Sequence, residues 1–276
     1  MPVLDAHTHV FPPELIEKRR LIASMEGGFS LLYASERSRM ADGPALASYM
    51  ENEGIDRAVA LSFPFEDGGL IRAANDYVLD VAKTDKRVLP FVTIDLRGGR
   101  SAVAEAERCF GLGARGVGEL AYYKEGFGER ERTGLEGLAR FMEQKGMLLM
   151  LHVNEQVGHN YPGKARIDFA QVVSFVQAHP GLKLILAHMG GGICFYEFMP
   201  EVREAFSNVY YDVAAAPFLY SRELYAFVAR FLSGKVLFGS DYPLLTLARY
   251  KADLESLDDE TRRKLLHDNG RRLFGA

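Results

Sequence analysis

The chain has 276 residues with 33 basic and 37 acidic side chains, a net charge of −4 that lacks the basic footprint of phosphate-backbone binding, so no nucleic-acid partner is expected. Hydrophobic residues at 48% and charged residues at 25% supply a large core and exclude general disorder, while no apolar run approaches the roughly 20 residues that span a bilayer. A cytoplasmic protein without a membrane partner is expected, and with only Cys109 and Cys194 present, any metal must be held by histidine and carboxylate rather than by thiolate.

Short apolar runs alternate with segments of helical period, the pattern of βα units around a parallel sheet. Strands are predicted over 2–10, 56–63, 87–95, 116–122, 147–154, 183–189, 209–214 and 236–241, with amphipathic helices over 101–112, 135–145, 168–179 and 222–232 between them. Eight such units predict an α/β fold, a (β/α)8 TIM barrel forming one domain over 1–276. Runs such as VLPFVTI and MLLMLHV are apolar throughout, as strands covered on both faces require. Two segments stand outside the repeat. Residues 11–43 form a long insertion after strand one, helical around 14–25, that reads as a lid or substrate wall, or else as surface decoration. The tail, DDETRRKLLHDNGRRLFG, reads as a C-terminal helix covering the barrel.

Residues two apart on a strand share a face, so His7 and His9 of DAHTHVF point together at the end of strand one. His152 ends strand five, His188 strand six and Asp241 strand eight, and the carboxyl ends of barrel strands converge on one place. Five polar residues ending four apolar strands are costly unless they share a partner, and one divalent cation satisfies them together. Nitrogen and oxygen donors without thiolate suit zinc, with Mn2+, Fe2+ or Co2+ as substitutes and one or two ions as open choices.

The pieces DAHTHVFP (5–12), LHVNE (151–155), AHMGGG (187–192), LFGSDYP (237–243) and NGRRLFG (269–275) resemble the amidohydrolase superfamily, in particular its amidohydrolase-2 branch, which includes aminocarboxymuconate-semialdehyde decarboxylase. The resemblance implies a metal held by His7, His9, His152 and Asp241, with His188 either a ligand of a second metal or a proton-transfer residue. In strand four, RGVGELAYY is similar to the GEIGLDYY of TatD-type hydrolases and offers Glu119 as a bridging ligand, which the branch's decarboxylases generally lack. Strand parity does not say whether Glu119 points inward. The main expectation is a hydrolase of a small carboxylated amide, lactone or ester, in which a metal-activated water attacks and Asp241 carries the proton. The alternative is a non-oxidative decarboxylase of an aromatic or muconate-type acid with one metal, in which His188 helps to protonate carbon.

Substrate contacts are expected from the loops after the strands. Arg72 and Lys124 are the candidate carboxylate binders, Asn154 is a further contact, and Tyr123 is expected inward while Tyr122 faces away. The glycines at 190–192 lack the lysine of a phosphate loop and read as a close backbone approach beneath a substrate. His179 and His267 read as structural. The aromatic stretches CFYEFMP and PFLYSRELYAF are candidates for a homodimer interface.

Overall fold

The structure is a computed structural model that describes residues 1–275. Its eight strands are β1 (Leu4–His9), β2 (Arg57–Leu61), β3 (Val88–Val92), β4 (Gly116–Leu120), β5 (Leu148–Leu151), β6 (Lys183–Leu186), β7 (Val209–Asp212) and β8 (Val236–Leu237). Each pairs in parallel with the next, in the order in which they occur in the chain. The ends of the sheet meet through backbone bonds from Ala6 N to Phe238 O (2.8 Å), His9 N to Tyr242 O (2.7 Å) and Asp241 N to His7 O (2.9 Å). These bonds close the sheet into a (β/α)8 barrel, as predicted.

Side chains fill the barrel in an apolar cluster that includes Ala6, Val59, Leu61, Phe91, Met150 and Ile185. Leu273 and Phe274 of the last helix join it, with the Phe274 ring 6.1 Å from that of Phe91, so the C-terminal segment plugs the barrel. A larger cluster, including Leu46, Val78, Leu138, Phe175 and Val228, packs the outer helices against the strands. Helix starts are set by carboxylates. Asp42 accepts from Ala45 N, Asp67 from Leu70 N and Asp168 from Ala170 N, each cap contributing about 1 kcal/mol to its helix. Among the described residues no helix is long and apolar enough to cross a membrane.

The insertion after β1 forms three short helices, Pro13–Glu17, Arg19–Met25 and Gly27–Tyr33, before the barrel helix Gly43–Glu53. Its core is aromatic: Phe11 and Phe29 are buried with Phe63 and Phe65 from the loop after β2, and Tyr33 and Tyr123 pack against them. Buried Glu26 fastens it, accepting Glu66 N at 2.7 Å and Asp67 N at 2.8 Å. Of the two readings of this segment, a wall packed onto the barrel mouth fits these contacts.

Candidate active site

Two irregularities in the sheet aim the polar residues. The β1–β2 register shifts between Asp5 and Thr8, so that Leu4 and Ala6 sit in the barrel core while His7 and His9, of opposite parity, turn toward the mouth. The β4–β5 register shifts between Val117 and Leu120, which separates Glu119 from Val117, a member of the outer core. Gly118 makes this possible: at φ +143, a Cβ there would lie 2.6 Å from Met150 O. The direction that parity along β4 left open is thereby set, and Glu119 points into the barrel mouth, 3% exposed.

His7, His9, Glu119, His152, His188 and Asp241 come together. His7 Nε2 lies 3.1 Å from His9 Nε2, and Asp241 Oδ1 lies 3.6 Å from the former and 3.3 Å from the latter. Glu119 Oε1 lies 2.9 Å from His152 Nδ1 and 3.2 Å from His188 Nε2, and these two nitrogens are 3.2 Å apart. Glu119 Oε2 stands farther from the first pair, at 3.7 Å from His7 and 4.0 Å from His9. The centre thus has one half built from His7, His9 and Asp241, and another from Glu119, His152 and His188.

The outer ring nitrogens fix the inner ones. His7 Nδ1 donates to Asp212 Oδ2 at 2.9 Å and His188 Nδ1 to the Ala214 carbonyl at 3.0 Å, leaving each Nε2 directed into the centre. Asp212, fully buried at the end of β7, also accepts His188 N and Ala214 N, so one carboxylate orients both histidines. No lysine or arginine pairs with Glu119 or Asp241 among the described residues. Nitrogens with inward lone pairs facing unneutralised carboxylates are the donor set of a divalent cation, and two such clusters are present: His7, His9 and Asp241, and His7, Glu119 and His188.

The local field leads to the same conclusion. Burial works against a charged His7, but Asp212, Glu119 and Asp241 outweigh it and push its pKa up to about 9. His188 rises to about 10 against the same burial effect, held by Glu119, Asp241 and Asp212. Burial alone would raise Asp241, yet the hydrogen bond from His9 and the charges of His7 and His188 bring it down to about 2. The pocket draws positive charge, which protons supply until a metal does.

The other predicted contacts divide. The Tyr123 ring lies 5.3 Å from that of His152 and stacks on Phe63 at 6.1 Å, whereas Tyr122 packs away from the centre on Phe127. Lys124 pairs with Glu66 at 3.0 Å and lines a cavity of about 410 Å³ to which none of the six central residues contributes. Arg72 stands exposed on the helix Gly68–Thr84 without a polar partner among the described residues. Asn154 is a correction. Its amide donates to Ala165 O at 2.7 Å and accepts Ala165 N at 2.8 Å, so it clamps the loop after β5 and has little left for a substrate. The close approach expected of the glycine run is made by Gly191, where a Cβ would lie 2.2 Å from Asn154 O, so it is this loop, and not a substrate, that the glycine accommodates.

Sequence reasoning missed Asp212 and Tyr33. Asp212 ends β7 as Asp241 follows β8, which is the signal that could have found it. Tyr33 comes from the insertion and packs on Phe11, Phe29 and Phe63; burial foremost, then the charges of Asp241 and Glu119, raise its pKa.

A family model described as amidohydrolase matches residues 4–276. The chain belongs to the amidohydrolase family. No curated protein matches the chain. Among solved structures, this amidohydrolase is similar to a 5-carboxyvanillate decarboxylase from Sphingomonas paucimobilis, at 17% identity and TM-score 0.77 over 99% of each chain. A 5-carboxyvanillate decarboxylase from Novosphingobium aromaticivorans, solved with manganese and 4-hydroxy-3-methoxy-5-nitrobenzoic acid, matches at 16% identity and TM-score 0.77, over 99% of this chain and 96% of that one. A 2,6-dihydroxybenzoate decarboxylase complexed with 2,6-dihydroxybenzoate matches at 16% identity and TM-score 0.70 over 100% of each chain. At these identities the likeness is one of fold.

Proposed function

We propose that the protein is a metal-dependent, non-oxidative decarboxylase of a carboxylated aromatic acid, the alternative of the two readings drawn from the sequence. The observation that carries it is the lopsided placement of Glu119, whose Oε1 holds His152 and His188 at 2.9 and 3.2 Å while Oε2 stays 3.7 and 4.0 Å from His7 and His9. His7, His9 and Asp241 would then hold one divalent cation, three protein ligands leaving a position open for substrate, and His188 is free to move a proton. The decarboxylases among the similar structures, one of them solved with manganese, support the same reading and leave the choice of zinc, manganese, iron or cobalt to measurement.

When bound, the cation supplies positive charge that fixes and polarises an oxygen of the substrate. Tyr33 and Tyr123, packed on the buried Phe29 and Phe63, offer ring faces to a planar acid and shield it from water. His188 Nε2 delivers its proton to the ring carbon that bears the carboxylate. The carbon–carbon electron pair stays on the ring, carbon dioxide departs, and hydrogen takes its place. Glu119 Oε1, at 3.2 Å, stabilises the imidazolium before transfer, and the Ala214 carbonyl keeps the ring turned.

The test is metal content per chain in the protein and its Glu119→Gln variant. One cation in both is expected. Two cations falling to one or none in the variant would make Glu119 a bridge, and would restore the hydrolase of a carboxylated amide, lactone or ester, which the inward, buried Glu119 between two histidine pairs still favours as the second reading.

A further inference from the structure

The loop after β5 reaches the centre through one backbone atom, the Gly163 carbonyl, which accepts His152 Nε2 at 3.2 Å. Across residues 157–164 this is the one hydrogen bond that leaves the loop, among the described residues. The others staple the loop to itself. Lys164 Nζ donates to the carbonyls of Val157 at 2.6 Å and His159 at 3.0 Å, and the Tyr161 hydroxyl donates to Glu155 Oε2 at 2.7 Å. At the base, Asn154 clamps Ala165, and Gln156 Nε2 donates to Ile167 O at 2.9 Å. A loop with tied ends, internal bonds and a single bond at its tip can move as a unit. We propose that Gly163 is a positioning residue of the centre: when the loop closes, its carbonyl fixes the His152 ring and, through that ring, Glu119.

A carbonyl oxygen only accepts, so His152 Nε2 carries a proton whenever this bond is made. The other ring nitrogen, Nδ1, is then turned to Glu119 Oε1 at 2.9 Å, the same oxygen that lies 3.2 Å from His188 Nε2. Outer partners of this kind set the orientation and tautomer of a central histidine. His7 takes its partner from Asp212 at the end of β7 and His188 from Ala214 two residues on, both close to the sheet. His152 takes its partner from a loop eleven residues farther along the chain, so its orientation depends on where that loop lies. Lifting the loop frees the His152 ring and loosens Glu119 beside His188, the proton-moving residue of the proposed decarboxylation; only this last consequence rests on that reading.

The tip needs a glycine. Gly163 has φ +91, and a Cβ there would lie 2.8 Å from Leu32 Cδ2 in the insertion and 3.6 Å from Tyr123 Cε1 after β4. Closure therefore seats the tip where the insertion and the β4 loop meet, and brings three segments of the mouth to one contact.

Two measurements on the intact chain test this without a substrate, so their outcome does not depend on which reaction the protein performs. Nitrogen-15 magnetic resonance of histidine-labelled protein is expected to show a proton bonded to His152 Nε2, in a signal identified by its absence from His152→Asn. Hydrogen exchange is expected to show the amides of 157–164 protected in the wild type. An asparagine amide can stand beside Glu119 as Nδ1 does, but it is too short to reach Gly163. His152→Asn is thus expected to speed exchange in the loop about 3- to 10-fold, the size expected for one hydrogen bond. Gly163→Ala is expected to speed it about tenfold or more and to abolish the Nε2 proton signal. An Nε2 without a proton, or a wild-type loop that exchanges as fast as an unfolded chain, overturns the proposal. Unchanged loop exchange in a folded His152→Asn overturns it too, as does a Gly163→Ala loop that opens while the His152 signal stays as in the wild type. If His152→Asn does not fold, the signal is assigned through bonds and Gly163→Ala decides alone, an unchanged signal or unchanged exchange refuting the contact.

Discussion

Replacing Asp212 by Asn tests the claim that one buried carboxylate tunes the whole centre. Its two oxygens accept three donors, His7 Nδ1 at 2.9 Å, His188 N at 2.9 Å and Ala214 N at 3.0 Å, with no exposure to water. An asparagine has one acceptor oxygen, so its amide nitrogen must face a donor whichever way it turns. The buried mismatch costs about 1–3 kcal/mol of folding stability. If the amide keeps its oxygen toward the two backbone groups, the nitrogen faces His7 Nδ1, and the favoured ring state reverses, with the proton moving to Nε2 where a cation should bind. Loss of such an outer partner typically lowers metal affinity about 10- to 100-fold. Competition against a chelator of known affinity reads the second effect and thermal unfolding of the metal-free protein the first. Affinity within twofold of wild type in a folded variant would refute the assignment of Asp212 as the orienting group.

Three further expectations follow from the same geometry. In the metal-free protein, His7 and His188 have pKa values raised from 6.5 to about 9 and about 10, so the stability they contribute is complete below pH 6.5 and is lost as pH rises through 9 to 10. Asp241, lowered from 3.8 to about 2, acts in the opposite sense, its contribution present above pH 3.8 and lost as pH falls through about 2. The metal-free melting temperature should therefore decline from pH 6.5 to 10 while metal affinity rises, since binding must release those protons; flat profiles of both would show that the centre is not protonated as described. Tyr33→Phe should leave metal content unchanged and weaken binding of a hydroxylated aromatic acid about 2- to 10-fold, measured by calorimetry, and unchanged affinity would remove Tyr33 from the site. Asn154→Ala should cost about 1–3 kcal/mol and speed amide exchange at Ala165, with metal affinity preserved; a loss of affinity at unchanged stability would return Asn154 to the centre.

Most of this architecture was legible because of where polarity interrupts apolar runs. His152, His188 and Asp241 each follow a strand too hydrophobic to lie at the surface, and a barrel gives such ends one common destination. What alternation could not supply is direction after an irregularity. Glu119 shares parity with Val117, yet a register shift beside Gly118 sends one to the centre and leaves the other in the outer core. Asp212 escaped notice because it touches the centre only through His7 and His188. Asn154 was misread for a different reason: its partner Ala165 lies eleven residues on, across a loop whose course has no periodic signature. Arg72 and Lys124 stood near strands that end at the site, but proximity in sequence to a strand end does not decide which way a loop turns. The insertion's aromatic residues contribute a wall through tertiary contacts with Phe63, Phe65 and Tyr123, and no local pattern within 11–43 encodes those partners.

The proposed decarboxylation requires that a proton be placed on the carbon from which carbon dioxide leaves. The most direct measurement is incubation of the metal-loaded protein with hydroxylated benzoic acids in heavy water, following carbon dioxide release and deuterium in the product. Carbon dioxide is expected together with one deuterium on the ring carbon that bore the carboxylate, both lost in His188→Asn with its metal retained. Absence of carbon dioxide from every such acid, together with hydrolysis of a carboxylated lactone, ester or amide by the same loaded protein, would contradict it.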